Sequence, residues 1–131
     1  MIYGIGIDVV EPQRVARLLD KYGERFARRV LTVREWPAYE RTVNRVLFVA
    51  NRFAAKEAFS KAMGTGFRYP VTLQCISIVQ NRAGKPGLEF HPKLEALVAE
   101  RGIIGHHVTI SDERTLACAC VVLEARGNVT S

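Results

Sequence analysis

Cysteine is scarce in this chain and odd in number, at positions 75, 118 and 120. Three cysteines do not make a disulfide framework, and a reducing cytosol is the simplest setting for them. Cys118 and Cys120 share a face if Leu116 to Leu123 is a strand; without a second pair they read as small buried side chains, not a metal site. No apolar run approaches the ~20 residues of a membrane span. The opening Met-Ile-Tyr-Gly-Ile-Gly carries no basic leader, so neither a membrane segment nor a signal peptide is expected, and a cytoplasmic protein is. Phosphate-loop spacing is absent. Gly4-Ile5-Gly6 is not followed by a third glycine opening a helix, which excludes the dinucleotide fingerprint. There are no internal repeats and no low-complexity segment. Acidic residues are in deficit, 13 against 19 Lys plus Arg, for a net charge of +6. That balance favours an anionic partner without naming it: nucleic acid, an acidic protein or a polyphosphate ligand all fit.

What is present fits one globular domain. The 131 residues, 48% hydrophobic and 24% charged, are ordinary for such a domain. A chain of this size buries roughly two thirds of its unfolded surface and needs no staple. Residues 1–125 are expected to form the domain and 126–131 a flexible polar tail.

Taken in order, Met1 to Val10 reads as a strand in which Ile5, Ile7 and Val9 alternate with Gly4, Gly6 and Asp8. Asp8 sits toward the end of an apolar run, where a carboxylate must be paired, hydrogen-bonded or metal-bound. Pro12 suits the first turn of a helix to about Tyr22, ended by Gly23. Arg14, Arg17 and Lys21 fall on one side of it, and a short second helix adds Arg25, Arg28 and Arg29. Only Asp20 and Glu24 interrupt this basic stripe, which is either a solvated face or a docking surface. Thr32 and Glu35 match a capping box that starts another helix, with Trp36 and Tyr39 as packing residues.

After a turn at Thr42 to Asn44 comes the stretch around which the chain is organised, a long helix from Arg45 to Met63 capped by Gly64. Ala54, Ala55, Ala58, Phe59 and Ala62 form its apolar side; Phe53, Glu57, Ser60 and Lys61 recur on another. Arg52 and Lys56 are like charges four apart, mildly destabilising on an isolated helix. Two readings of the polar side fit: a solvated face with a Glu57–Lys61 pair, or a site for a metal and a phosphorylated ligand. A flexible loop to Pro70 follows. Gln74 to Gln80 and Leu88 to Phe90 read as a hairpin around the turn at Asn81 to Pro86. Lys93 to Arg101 is a helix started by Pro92 and closed by Gly102. His106 to Ser111 and Thr115 to Ala125 are strands, with His107, Thr109 and Ser111 on one face of the first. The fold class is α+β, helices first and antiparallel strands last.

Three of these stretches, Gly4-Ile5-Gly6-Ile7-Asp8-Val9-Val10-Glu11, then Arg52-Phe53-Ala54-Ala55-Lys56-Glu57-Ala58 with Lys61 and Gly64-Thr65-Gly66, then His107-Val108-Thr109-Ile110-Ser111-Asp112-Glu113, resemble in order and spacing the bacterial holo-acyl-carrier-protein synthases. These are the small 4′-phosphopantetheinyl transferases of fatty acid synthesis. The Asn81 to Pro86 turn resembles the family's Gly-Lys-Pro hairpin. The resemblance runs from Met1 to about Glu124, with no departure at the charged motif positions and a poorly defined tail beyond. It implies helices packed on a small antiparallel sheet, assembled as a homotrimer with sites between protomers. The implied activity moves 4′-phosphopantetheine from coenzyme A to a serine of apo-acyl carrier protein, with magnesium, and releases adenosine 3′,5′-bisphosphate. By matching position, Asp8 and Glu57 are the metal carboxylates, and Lys61 is a phosphate ligand near the scissile pyrophosphate. Arg52, His107 and Thr109 are coenzyme A contacts; Gly64, Gly66, Gly84 and Pro86 lie along the nucleotide. Arg14, Arg17, Lys21, Arg25 and Arg28 form the carrier-protein docking surface.

Glu57, directly or through a metal-bound water, is the expected acceptor of the serine proton, a role typically worth ~10²–10⁴-fold. Two other readings remain beside this one. A nucleic-acid-binding module suits the charge, but the aromatic residues are not interleaved with the basic ones. A metal-dependent nucleotide hydrolase would turn the same carboxylates on water.

Overall fold

Each element ends where its local chemistry says it should. The computed structural model describes residues 1–127. Strand β1 spans Ile2–Val10 and helix α1 Pro12–Tyr22, with proline in the first turn of α1. Gly23, at φ +60°, closes α1 and returns its N–H to the Leu19 carbonyl at 2.7 Å. Helices α2 (Glu24–Val30) and α3 (Trp36–Arg41) are short. The central helix α4 runs Arg45–Met63: the Asn44 side chain accepts from the Leu47 N–H at 3.0 Å, and Gly64 adopts the left-handed conformation at its end. Strands β2 (Ile76–Gln80) and β3 (Pro86–Phe90) follow, then α5 (Pro92–Glu100), β4 (Ile103–Asp112) and β5 (Ala117–Ala125).

The strands form an antiparallel sheet in the order β1-β5-β4 and a separate β2-β3 hairpin. Helix α4 lies across the three-stranded sheet. Its alanine side, with Phe59 and Met63, joins Val121 and Leu123 of β5 and Ile76, Ile78 and Leu94 in the larger core. A second core gathers Val15, Ala27, Val30, Tyr39 and Val49 under α1 to α3. Fully buried side chains such as Phe59, Ile76 and Leu123 each contribute about 1.5–3 kcal/mol.

Strand β1 inverts the usual face assignment of an amphipathic strand. Its glycines, not its isoleucines, meet the helix. A Cβ on Gly4 would lie 1.9 Å from the Ala62 carbonyl oxygen, and one on Gly6 1.9 Å from that of Ala58. Strand and helix backbones therefore touch, which only glycine allows. Ile5, Ile7 and Val9 face away and are more than half exposed. On the neighbouring strand Cys118 and Cys120 share that outer face, as the alternation predicts.

Three local expectations are corrected. The strand expected from Gln74 begins at Ile76, because Leu73–Cys75 forms a 3-10 turn. That turn lets Gln74 Nε2 donate to the carbonyls of Arg28, Arg29 and Leu31 at 2.7–3.1 Å. Second, Thr32 does not cap a helix. The Glu35 side chain does accept from the Thr32 N–H at 2.9 Å, but the helix starts at Trp36, and the Thr32 hydroxyl bonds to Ser77 at 2.6 Å. Third, the strand expected over His106 to Ser111 is longer, Ile103–Asp112. Of the expected tail, residues 128–131 lie outside the described residues, and the Arg126 N–H donates to the Gly102 carbonyl at 3.1 Å.

The β1–α4 contact yields the first prediction. Gly6→Ala must push strand and helix apart, an overpacking cost of about 3 kcal/mol or more. Thermal denaturation should show a melting temperature many degrees lower; a melting temperature within two degrees of the parent refutes the contact.

Candidate active site

Because Gly4 and Gly6 point at α4, Asp8, two residues on, points the same way. The close approach sets that carboxylate against the polar side of the helix. Lys61 Nζ donates to Asp8 Oδ1 and to the Ile7 carbonyl, both at 3.1 Å. Glu57, one turn before Lys61, lines the same cleft as Asp8. That cleft, about 290 Å³, is completed by Arg14, Val15 and Leu18 of α1, Phe26 of α2 and Phe53 of α4. Partial burial and then the nearby Asp8 carboxylate push the Glu57 carboxyl above its ordinary pKa, against the pull of Lys61. Two carboxylates on different elements and an arginine thus share one opening, with Lys61 anchored on Asp8 beside it.

The donor set is suited to a hard cation. Magnesium takes oxygen ligands and often only one or two protein carboxylates, with waters and phosphate oxygens making up the rest. Asp8 and Glu57 match that number. Among the described residues no group of three acidic, histidine or cysteine side chains gathers to enclose a metal without such outside oxygens.

The other expected residues fall in three places. Gly64 and Gly66 follow α4 in left-handed conformations, and the Gly66 N–H donates to the Ser60 carbonyl at 3.2 Å. Gly84 (φ +84°) makes the β2-β3 turn, held by Asn81 Oδ1, which accepts from the N–H groups of Ala83 and Lys85 at 2.9 Å; Pro86 starts β3. His107 and Thr109 lie on β4 at the far edge of the sheet from β1. The strand register sets both on the outer face with Cys118, Cys120 and Val122, opposite to Asp8. His107 Nε2 bonds to the Glu124 carboxylate on β5. One chain therefore does not bring His107 and Thr109 to Asp8 and Glu57.

Arg14, Arg17, Lys21, Arg25 and Arg28 are all exposed along α1 and α2, as expected of a docking stripe. Arg28 is partly engaged: its guanidinium lies 4.0 Å over the Trp36 ring. Leu18, Tyr22, Phe26 and Phe53 line an apolar groove between these cations, flanked by Arg25 and Arg29.

Sequence reasoning missed the network under α4. Lys56 is fully buried, not a repulsive surface partner of Arg52. Its three donors are used: Nζ gives hydrogen bonds to Glu35 Oε1 and the Val30 carbonyl, both at 2.6 Å, and to the Leu73 carbonyl at 3.0 Å. Glu35 Oε2 accepts from the Ile78 N–H at 3.1 Å. Arg52 is 7% exposed, lies 3.6 Å over the Phe48 ring and reaches only to 3.7 Å from Glu35 Oε2. Burial pushes both Lys56 and Arg52 below their ordinary pKa values, and Glu35 opposes that shift. The signal was available. Lys56 stands on the stripe of Val49, Phe59 and Met63, at spacings of three, four and seven, so a periodicity count puts it in the core.

Comparison with known proteins agrees with this geometry. The sequence profile of the 4′-phosphopantetheinyl transferase superfamily matches residues 4–120. A holo-[acyl-carrier-protein] synthase of Nitrosospira multiformis is 57% identical over 124 residues, 95% of this chain and 99% of that one. The crystal structure of the holo-[acyl-carrier-protein] synthase from Neisseria meningitidis superposes with a TM-score of 0.92 at 43% identity, covering 95% of this chain and 99% of that one. The Bacillus anthracis synthase, solved in complex with coenzyme A (3′,5′-ADP), has a TM-score of 0.80 at 38% identity, covering 96% and 99%. The chain belongs to the 4′-phosphopantetheinyl transferase superfamily, among its holo-[acyl-carrier-protein] synthases.

Proposed function

We propose that this chain transfers the 4′-phosphopantetheine group of coenzyme A to a serine of apo-acyl carrier protein. A phosphorus–oxygen bond forms to the serine, the pyrophosphate bond breaks, and adenosine 3′,5′-bisphosphate leaves. The observation that carries this reading is the meeting of Asp8 and Glu57 in one cleft, with Lys61 bonded to Asp8. Asp8 and Glu57 would hold magnesium, which would supply charge neutralisation at the reacting phosphates. Lys61, anchored on the Ile7 carbonyl, offers its ammonium to the same phosphates. The Glu57 carboxylate, directly or through a water, takes the serine proton.

The carrier protein docks on α1 and α2. The exposed cations there steer an acidic partner, while the groove of Leu18, Tyr22, Phe26 and Phe53 takes its apolar side chains. Coenzyme A is held by Arg52, His107 and Thr109 and runs past Gly64, Gly66, Gly84 and Pro86. Because His107 and Thr109 face away from Asp8, a complete site takes two protomers, and a homotrimer supplies three such sites. The apolar outer face supports that assembly: Ile5, Ile7 and Val9 are 64%, 59% and 53% exposed in the single chain. A reducing cytoplasm suits the chain. Its three cysteines are free, and among the described residues no helix is long and apolar enough to cross a membrane.

Mass spectrometry of apo-acyl carrier protein incubated with the chain, coenzyme A and magnesium tests the reaction. Asp8→Ala and Glu57→Ala should each abolish the phosphopantetheine-sized mass gain and weaken magnesium binding in calorimetry while circular dichroism stays native; full transfer by either variant removes the metal assignment. Arg14→Glu should raise KM for carrier protein about tenfold, in a salt-dependent way, while that for coenzyme A moves far less. Equal effects on both substrates sink the docking assignment. Ile7→Glu should leave single chains in sedimentation velocity, and an unchanged sedimentation coefficient argues against the outer face as the subunit contact.

A further inference from the structure

One carboxylate stands among two buried cations beneath α4, and it is unevenly shared. Glu35 Oε1 takes the Lys56 ammonium at 2.6 Å and the Thr32 N–H; Oε2 takes the Ile78 N–H. Arg52 donates no hydrogen bond to it, and Arg52 Nε is buried without any partner. A buried cluster of two cations and one anion leaves a charge of +1, costly unless an anion completes it. The shortfall lies beside a polar pocket of about 380 Å³ lined by Arg41, Thr42, Asn51, Arg52 and Gln80. A donor fixed in place with its charge left uncompensated is what an anion-binding pocket offers.

We infer that Lys56 is a positioning residue for phosphate binding: by occupying Glu35 it keeps the buried Arg52 guanidinium unneutralised and free to pair with a phosphate of coenzyme A. The inference rests on the transferase reading above, and it deepens the part Arg52 plays there. Were Lys56 absent, the whole Glu35 charge would face Arg52. The two would close into an ion pair, and the incoming phosphate would have to compete with an internal carboxylate.

The test is a pair of variants and one measurement on the parent chain. Lys56→Met keeps the volume and removes the charge. Its Kd for coenzyme A by calorimetry, and its KM, should rise about tenfold or more, the scale of one charge-assisted hydrogen bond. The kcat at saturating coenzyme A and the KM for carrier protein should move less than about threefold. Adding Glu35→Gln in the Lys56→Met background should restore coenzyme A affinity, because it removes the competing carboxylate. A merely structural role for Lys56 predicts otherwise: kcat falls and both KM values rise together, and the double variant is worse. Unchanged coenzyme A affinity in Lys56→Met, or no rescue by Glu35→Gln, overturns the inference. Where a variant does not fold, the parent chain decides. With ¹⁵N-labelled arginine, the Arg52 side-chain N–H signals should shift on adding adenosine 3′,5′-bisphosphate, as new hydrogen bonds form. Arg52 signals indifferent to that ligand overturn it too. If the parent neither binds coenzyme A nor modifies carrier protein, the transferase reading has failed instead.

Discussion

Strand β1 lies on helix α4 with nothing between their backbones, and the rest of the molecule depends on that contact. Two glycines make it possible, because any Cβ at either position would overlap a helix carbonyl. The consequence is positional. Asp8 follows the glycines on the same face of the strand, so the approach that admits no side chain at 4 and 6 delivers a carboxylate at 8 to Glu57 and Lys61. Sheet twist, loop geometry and surface charge can vary around this contact; the approach of the Asp8 and Glu57 carboxylates cannot.

The underside of the same helix carries a second constraint, built from charge. Lys56 and Glu35 tie α4 to the end of α2, to the segment before α3 and to the first residues of β2. Such a pair is weak grounds for extra stability, since desolvating both partners offsets most of their attraction. What it settles is which cation Glu35 takes: Lys56 holds the carboxylate, and Arg52 is left facing the pocket beside Gln80. One helix thus serves two chemistries on different sides, a carboxylate site above and a cationic site beneath.

Much of this was legible in the sequence. The α4 boundaries followed from Asn44 and Gly64, whose capping chemistry is local. The α1 boundaries followed from Pro12 and Gly23, and the β2-β3 turn from Asn81 and Gly84. The outward side of His107 and Thr109 followed from strand alternation. What escaped was non-local. Thr32 and Glu35 satisfy a capping pattern that the chain uses for something else, because Glu35 finds Lys56 and Ile78, 21 and 43 residues away. A reading of neighbours three or four apart has no access to such partners. Lys56 was weighed only against Arg52, and its spacing from Val49, Phe59 and Met63 went uncounted.

The two-faced sheet has a consequence for how the protein behaves in quantity. Asp8 lies on one face of the sheet and His107 on the other. If, as proposed, the two meet only across protomers, a lone chain carries two half-sites and no whole one. Dilution would then divide each active centre as well as separate subunits, and specific activity would fall as assemblies come apart and return when they re-form. On that reading, a cell making very little of this chain would have less working enzyme per molecule than one making more.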